Sequence, residues 1–138
     1  MKVNFLKLVR KAMTPTYGTP GAAAFDIYAS KSTIGTEKVI VETGISIEIP
    51  PGYEMQIRPR SGLAFKNRVH AFAGTIDSDY RGEIKILLMG ESTGQVINVF
   101  HGDRIAQGII RPVEQVEFVQ VDELSDTQRG TGGFGSTG

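Results

Sequence analysis

The stretch Ile45-Ser46-Ile47-Glu48-Ile49-Pro50-Pro51-Gly52-Tyr53-Glu54-Met55-Gln56-Ile57 decides the fold class. Apolar residues stand at every second position on both sides of Pro50-Pro51-Gly52. Side chains of a strand point alternately to its two faces, so a period of two describes two half-buried strands joined by a turn. The pattern continues outward. Ile84, Ile86 and Leu88 alternate with Glu83 and Lys85, although Leu87 is also apolar, and Val116 and Phe118 flank Glu117. Residues 89–94 and His101-Gly102-Asp103 carry turn chemistry. Residues 2–9, 23–28, 38–42, 68–73, 95–100 and 104–110 read as further strands. No stretch keeps a 3.6-residue apolar stripe over three turns. Residues 61–67 are the best candidate for a single helical turn, with Ser61 at its N-cap. There is no internal repeat. Short strands divided by turns predict an all-β domain: a sandwich, jelly roll or barrel.

The 138 residues suit one domain that buries its own core without metal or disulfide staples. With no cysteine, disulfides, thiolate zinc sites and thiol catalysis are excluded. His70 and His101 are the only histidines and lack metal-ligand spacing. Lys plus Arg balance Asp plus Glu at 15 each, which disfavours nucleic-acid binding. The apolar runs fall far short of the ~20 residues that span a bilayer, so no membrane partner is expected. Nothing reads as a secretion signal, and the expected location is cytoplasmic, or the host cytoplasm for a viral chain. Residues 1–124 form the expected domain. Residues 125–138 are polar and Gly-rich with one aromatic, Phe134, and read as a mobile arm.

Five segments could carry chemistry. In the terminal Arg129-Gly130-Thr131-Gly132-Gly133-Phe134-Gly135-Ser136-Thr137-Gly138, glycines let backbone N–H groups approach phosphates, and a lone Phe suits stacking on a base. A plain disordered terminus is the alternative. In residues 73–83, which read as a β-hairpin, Asp77 could orient and deprotonate a water. With Asp79, two residues on and on the same face of a true strand, it could instead bind a divalent cation; a solvated turn is the bland reading. Arg60-Ser61-Gly62 could bind an anion at the start of a helical turn, or be an ordinary cap with surface arginines. Strict alternation places Gln107 in an apolar row with Ile105 and Ile109, where its amide needs a partner. Asp26 interrupts the small-residue strand Ala22-Ala23-Ala24-Phe25-Asp26-Ile27, and could simply cap a nearby turn.

In order and spacing these segments resemble the five motifs of the trimeric dUTP pyrophosphatases (dUTPases). Ala23–Ile27, Arg60–Ala64, Gly74–Glu83, Gly102–Gln107 and Arg129–Gly138 stand for motifs one to five. The resemblance implies a jelly-roll-like β-barrel with a flexible Gly-rich C-terminal arm, assembled as a homotrimer whose active sites are each shared by three subunits. It implies hydrolysis of dUTP to dUMP and pyrophosphate, by water attacking the α-phosphorus with Mg²⁺ on the triphosphate. Asp77 then matches the catalytic carboxylate. Asp26 matches the acid that holds the metal through water. Arg60, Ser61, Gly62 and Gln107 match phosphate contacts. Arg129 would meet the γ-phosphate, Phe134 would stack on uracil, and Gly135, Ser136 and Thr137 would add donors. Tyr80 would pack under the deoxyribose and exclude a 2′-hydroxyl. Backbone groups of residues 71–77, Ala71, Thr75 and Ile76 among them, would read the uracil edge, and Lys85 would line the same pocket. Two departures stand out. Ala24 replaces the usual Gly of the first motif, and Ala71-Phe72-Ala73 replaces a stretch where many relatives carry Asn or Gly. Phe72 must therefore face outward or line the pocket. A dCTP deaminase on the same fold, a nucleotide-binding regulator acting through a partner protein, and a jelly-roll structural protein are the competing readings. The last leaves Asp77 and the terminal motif unexplained.

Overall fold

The computed structural model describes residues 1–72 and 74–135. Twelve strands among them make the chain all-β: β1 Asn4–Lys7, β2 Thr16–Tyr17, β3 Phe25–Tyr28, β4 Thr33–Thr36, β5 Lys38–Glu42, β6 Ile45–Glu48, β7 Tyr53–Arg58, β8 Val69–Phe72, β9 Thr75–Ile76, β10 Lys85–Gly90, β11 Val96–Val99 and β12 Arg104–Pro112. One short helical segment of π character, Leu63–Asn67, precedes β8. Backbone pairing divides the strands among four sheets, ordered β1-β6, β5-β10-β8, β11-β4 and β2-β3-β12-β7-β9. Every pairing is antiparallel. No helix among the described residues is long and apolar enough to cross a membrane.

The core is built from the alternating residues. Ile45, Ile47, Ile49, Met55 and Ile57 of the opening stretch are all buried, as are Ile84, Ile86 and Leu88. Each such side chain contributes roughly 1.5–3 kcal/mol by leaving water. Leu87 breaks the alternation because it faces outward, opposite Ile40 on β5 and Phe72 on β8. Gly108 of β12 is demanded by packing: a Cβ there would lie 2.4 Å from the Phe25 ring.

Three expectations are corrected. Residues 116–118 form no strand, and Val116 and Phe118 are exposed, because none of the described residues pairs with them. Ile105, Gln107 and Ile109 do not share a face. A register shift between Arg104 and Ala106 puts Ile105 and Ala106 together in the core and turns Gln107 away from it. Ser61 caps nothing: the N-cap position is Gly62, with no side-chain cap bond. β2 and β9 escape a reading by pattern because two residues carry no alternation, and β4 because Thr-Ile-Gly-Thr offers a single large apolar side chain.

Candidate active site

The site grows from one buried carboxylate. β3 and β12 pair with Asp26 opposite Gln107, and β12 also pairs with β7 through Gln107 and Arg58. Asp26 is only 4% exposed. Its Oδ1 accepts from Arg60 Nε at 3.0 Å and from Gln107 Nε2 at 3.3 Å, and Arg104 Nη1 lies 3.7 Å from Oδ2. A carboxylate buried without such partners would be costly. Gln107 thus has the partner its amide requires. Arg60 also donates from Nη1 to the Arg104 carbonyl at 3.3 Å. Arg60 and Arg104 line a cavity of about 440 Å³ with Leu63, Asn67 and Gln95. Two guanidinium groups at the rim of one cavity suit an anion, since charge-assisted bonds to phosphate oxygens are among the strong ones. Ser61 is exposed beside them, and Gly62 lies in the right-handed helical region at φ −61° and ψ −41°.

A second cluster lies on the segment between β9 and β10. β8 and β10 pair as the two arms of a hairpin, but the connection is wide and lends Thr75 and Ile76 to β7, where they oppose Gln56 and Met55. Asp77 and Asp79 sit in a turn rather than on a strand, so the shared strand face does not exist. The turn is held from within. The Tyr80 N–H donates to the Asp77 carbonyl at 3.2 Å. Arg81 Nη1 donates to the Ser78 and Tyr80 carbonyls at 2.7 and 3.0 Å. The Tyr80 hydroxyl donates to the Glu83 carbonyl at 3.0 Å. From outside, Ser46 Oγ donates to the Arg81 carbonyl at 2.7 Å and the Gly44 N–H to Glu83 Oε1 at 2.9 Å. Asp77 and Tyr80 are exposed, and with Lys85, Thr75 and Ile76 they line a shallow pocket walled by Ile40, Phe72 and Leu87. Ala71 turns into the core, so only its backbone faces this neighbourhood.

The chain as a whole has relatives of known family. A family model of dUTPase matches residues 10–138. The chain belongs to the dUTPase family. The deoxyuridine 5'-triphosphate nucleotidohydrolase of Nautilia profundicola is 50% identical, over 100% of this chain and 99% of its own. That of Hydrogenobaculum sp. is 51% identical, again over 100% and 99%. Among solved structures, the Staphylococcus bacteriophage 80alpha dUTPase with dUpNHpp superposes with a TM-score of 0.91 at 25% identity, covering 99% of this chain and 98% of that one. A dUTPase of phage phi11 of S. aureus, whose structure describes a structural Mg(II) ion, shares the fold at a TM-score of 0.79 and 23% identity, over 89% and 98%.

Within a single dUTPase chain the two clusters line different cavities: Arg60 and Arg104 one, Asp77 and Tyr80 another. Residues 129–135 of the terminal motif line neither. Arg129 Nε donates to the Gly132 carbonyl at 2.8 Å, and the other hydrogen bonds of residues 127–135 are equally local. Phe134 is fully exposed with φ 53°, and Gly135 follows at φ 87°. Ser136 and Thr137 lie outside the described residues, as does Ala73. Reasoning from sequence missed Arg104 as a second cation at Asp26, although it stands inside the fourth motif. It also missed Ile40 and Leu87 as pocket wall, for which only strand register carries a signal.

The donor set at Asp26 bears on a metal. No group of three acidic or histidine side chains that could hold an ion occurs among the described residues. One oxygen of Asp26 is already taken by Arg60 and Gln107. Ligation through Oδ1 would displace them, and Oδ2 has the Arg104 guanidinium 3.7 Å away, whereas a Mg²⁺ that keeps several waters would fit a single carboxylate.

Proposed function

We infer that this dUTPase hydrolyses dUTP to dUMP and pyrophosphate, by attack of water on the α-phosphorus with pyrophosphate as leaving group. The observation that carries the reading is the pairing of two pre-built clusters in one dUTPase-family chain. One is an anion site of Arg60, Arg104 and Gln107 organised on Asp26. The other is a pocket with apolar walls and an exposed carboxylate at its mouth.

In this reading Asp77 aligns the attacking water and takes its proton. A carboxylate is a weak base, so most of its contribution is placement. Arg60, Ser61, Gly62 and Gln107 hold the triphosphate, and negative charge building on the α–β bridging oxygen meets these donors. Mg²⁺, when bound on the triphosphate and held through water by Asp26, supplies further neutralising charge. Tyr80, fixed by its bond to the Glu83 carbonyl, packs under the sugar and leaves no space for a 2′-hydroxyl. Backbone groups of residues 71–77 read the base. Cytosine presents the opposite donor and acceptor pattern there and leaves buried groups unpaired. Phe72 supplies a side wall, in a stretch where many relatives carry Asn or Gly.

Residues 1–124 act as the folded domain and 125–138 as the arm that closes over a site, bringing Arg129 to the γ-phosphate and Phe134 onto uracil. The assembly is a homotrimer in which different chains supply the two clusters and the arm. Separate cavities for Arg60 and Asp77 support this, as does the exposed apolar run Val113, Val116, Phe118, Val119, Val121 and Leu124. Such a run on an isolated chain marks a surface that another chain covers.

The test is pyrophosphate release with Mg²⁺ from dUTP, dCTP, dTTP and UTP in parallel. Release from dUTP alone is expected, and Asp77→Asn should stop release while dUTP still binds. Release from none, by a folded protein that binds dUTP, would replace hydrolysis with the regulator reading.

A further inference from the structure

The segment that carries the phosphate-binding turn has little of its own to hold it. None of residues 63–67 is buried, no side chain caps the start of the segment, and Phe65 is 88% exposed. So short a helix is unstable alone and ordinarily depends on an apolar face docked against the core. Here a line of backbone hydrogen bonds runs through it instead. The Ala64 N–H donates to the Arg60 carbonyl at 3.0 Å, and the Arg68 N–H to the Ala64 carbonyl at 3.1 Å. Arg68 ends the segment in the left-handed region at φ 54°, an unfavourable place for a residue with a Cβ that persists where neighbours enforce it.

The Glu91 N–H donates to the Arg68 carbonyl at 3.1 Å, and one side chain adds to that hold. Gln95 Nε2 donates to the Asn67 carbonyl at 2.9 Å and to the Arg68 carbonyl at 3.3 Å. Its Oε1 accepts the Glu91 N–H at 3.0 Å and the Ser92 N–H at 3.3 Å. The carboxamide therefore ties the end of the helical segment to the turn between β10 and β11 by four bonds, beside the one backbone bond from Glu91 to Arg68. Gln95 is itself fixed: its N–H donates to the Ser92 carbonyl at 3.1 Å, and its carbonyl accepts the Glu37 N–H at 2.7 Å. The space for the amide exists because residue 90 is glycine; a Cβ there would lie 2.7 Å from Oε1.

We propose that Gln95 is a positioning residue for triphosphate binding. Its carboxamide locks the C-terminal end of Leu63–Asn67, and through the Arg68–Ala64–Arg60 line it sets the backbone from which Arg60, Ser61 and Gly62 meet the phosphates. The proposal rests on the reading of that turn as the phosphate site.

The test compares the full-length wild type with Gln95→Ala and Gln95→Glu. Gln95→Glu keeps the acceptor oxygen and loses the donor. In both variants the Ala64 and Arg68 amides should exchange with solvent about tenfold faster. KM for dUTP should rise about tenfold with kcat within about threefold, the pattern of a lost contact made equally in ground and transition states. Affinity for 2′-deoxyuridine, which carries no phosphate, should stay within about twofold. An unchanged KM, unchanged exchange, or equal loss of deoxyuridine and dUTP affinity would overturn the proposal, and so would a Gln95→Glu variant indistinguishable from wild type. If wild type releases no pyrophosphate from dUTP, the functional reading fails. Amide exchange and the affinity for inorganic tripolyphosphate with Mg²⁺ then decide the role of Gln95 by themselves.

Discussion

Asp26 and Gly108 show how much one position carries. Asp26 reads from sequence as an acid interrupting a small-residue strand, and either a cap or a metal-holding group fits that reading. Burial among Arg60, Gln107 and Arg104 makes it the centre of a cluster of cations and donors, because a desolvated carboxylate must be matched by them. Gly108, one residue beyond Gln107, keeps that site in register by letting β12 pass against the Phe25 ring, with Met55 Sδ also only 3.3 Å from where a Cβ would stand. Gly108→Ala should therefore overpack the core and destabilise the fold by about 1–3 kcal/mol. Urea denaturation would check this; a midpoint equal to wild type would mean that Phe25 moves aside at no cost.

Among the elements, the wide connection between β9 and β10 and the terminal arm differ in what holds them. The connection is fastened by its own arginine, its tyrosine and two outside donors. It is a rigid mount for Asp77. The arm makes only local bonds among its described residues and leaves Phe134 in water. Ordering it over a ligand costs backbone entropy that stacking and phosphate contacts must offset. Deleting residues 130–138 should thus cut turnover severely, by about 100-fold, while fold and oligomeric state persist. Phe134→Ala should cost less, about tenfold, since stacking on one base contributes roughly 1–3 kcal/mol. Steady-state kinetics and circular dichroism of the two variants would check this. Equal losses would make stacking the whole function of the arm, and an unchanged rate after deletion would make it a linker.

For the whole molecule, separate cavities in one chain have a direct consequence. If Arg60 of one subunit works with Asp77 of another, Asp77→Asn and Arg60→Gln chains are each inactive alone but complement each other in mixed trimers. Random assembly at equal ratio should restore about a quarter of wild-type activity, because each shared site then draws an intact residue from each parent with even odds. Refolding the two variants together and assaying pyrophosphate release measures this. No recovery would place both residues in a site within one chain. Sedimentation should give three times the 15.0 kDa chain mass.

The all-β class, most strands and the five motifs were legible in the sequence because each is local: alternation in Ile45–Ile57, turn residues at Pro50-Pro51-Gly52, and fixed spacing from Arg60 to Gly62 or from Asp77 to Tyr80. What lay outside its reach depends on partners distant in the chain. The bulge that turns Gln107 toward Asp26 follows from pairing β12 with both β3 and β7. The missing strand at residues 116–118 follows from the lack of a neighbour among the described residues, since a strand is stable only when another pairs with it. The hold of Gln95 on Asn67 and Arg68 spans 28 and 27 residues, and no spacing announces it. Local pattern decides which face of a segment leaves water. Only tertiary contact decides which segment meets it, and therefore which polar groups converge on one ligand.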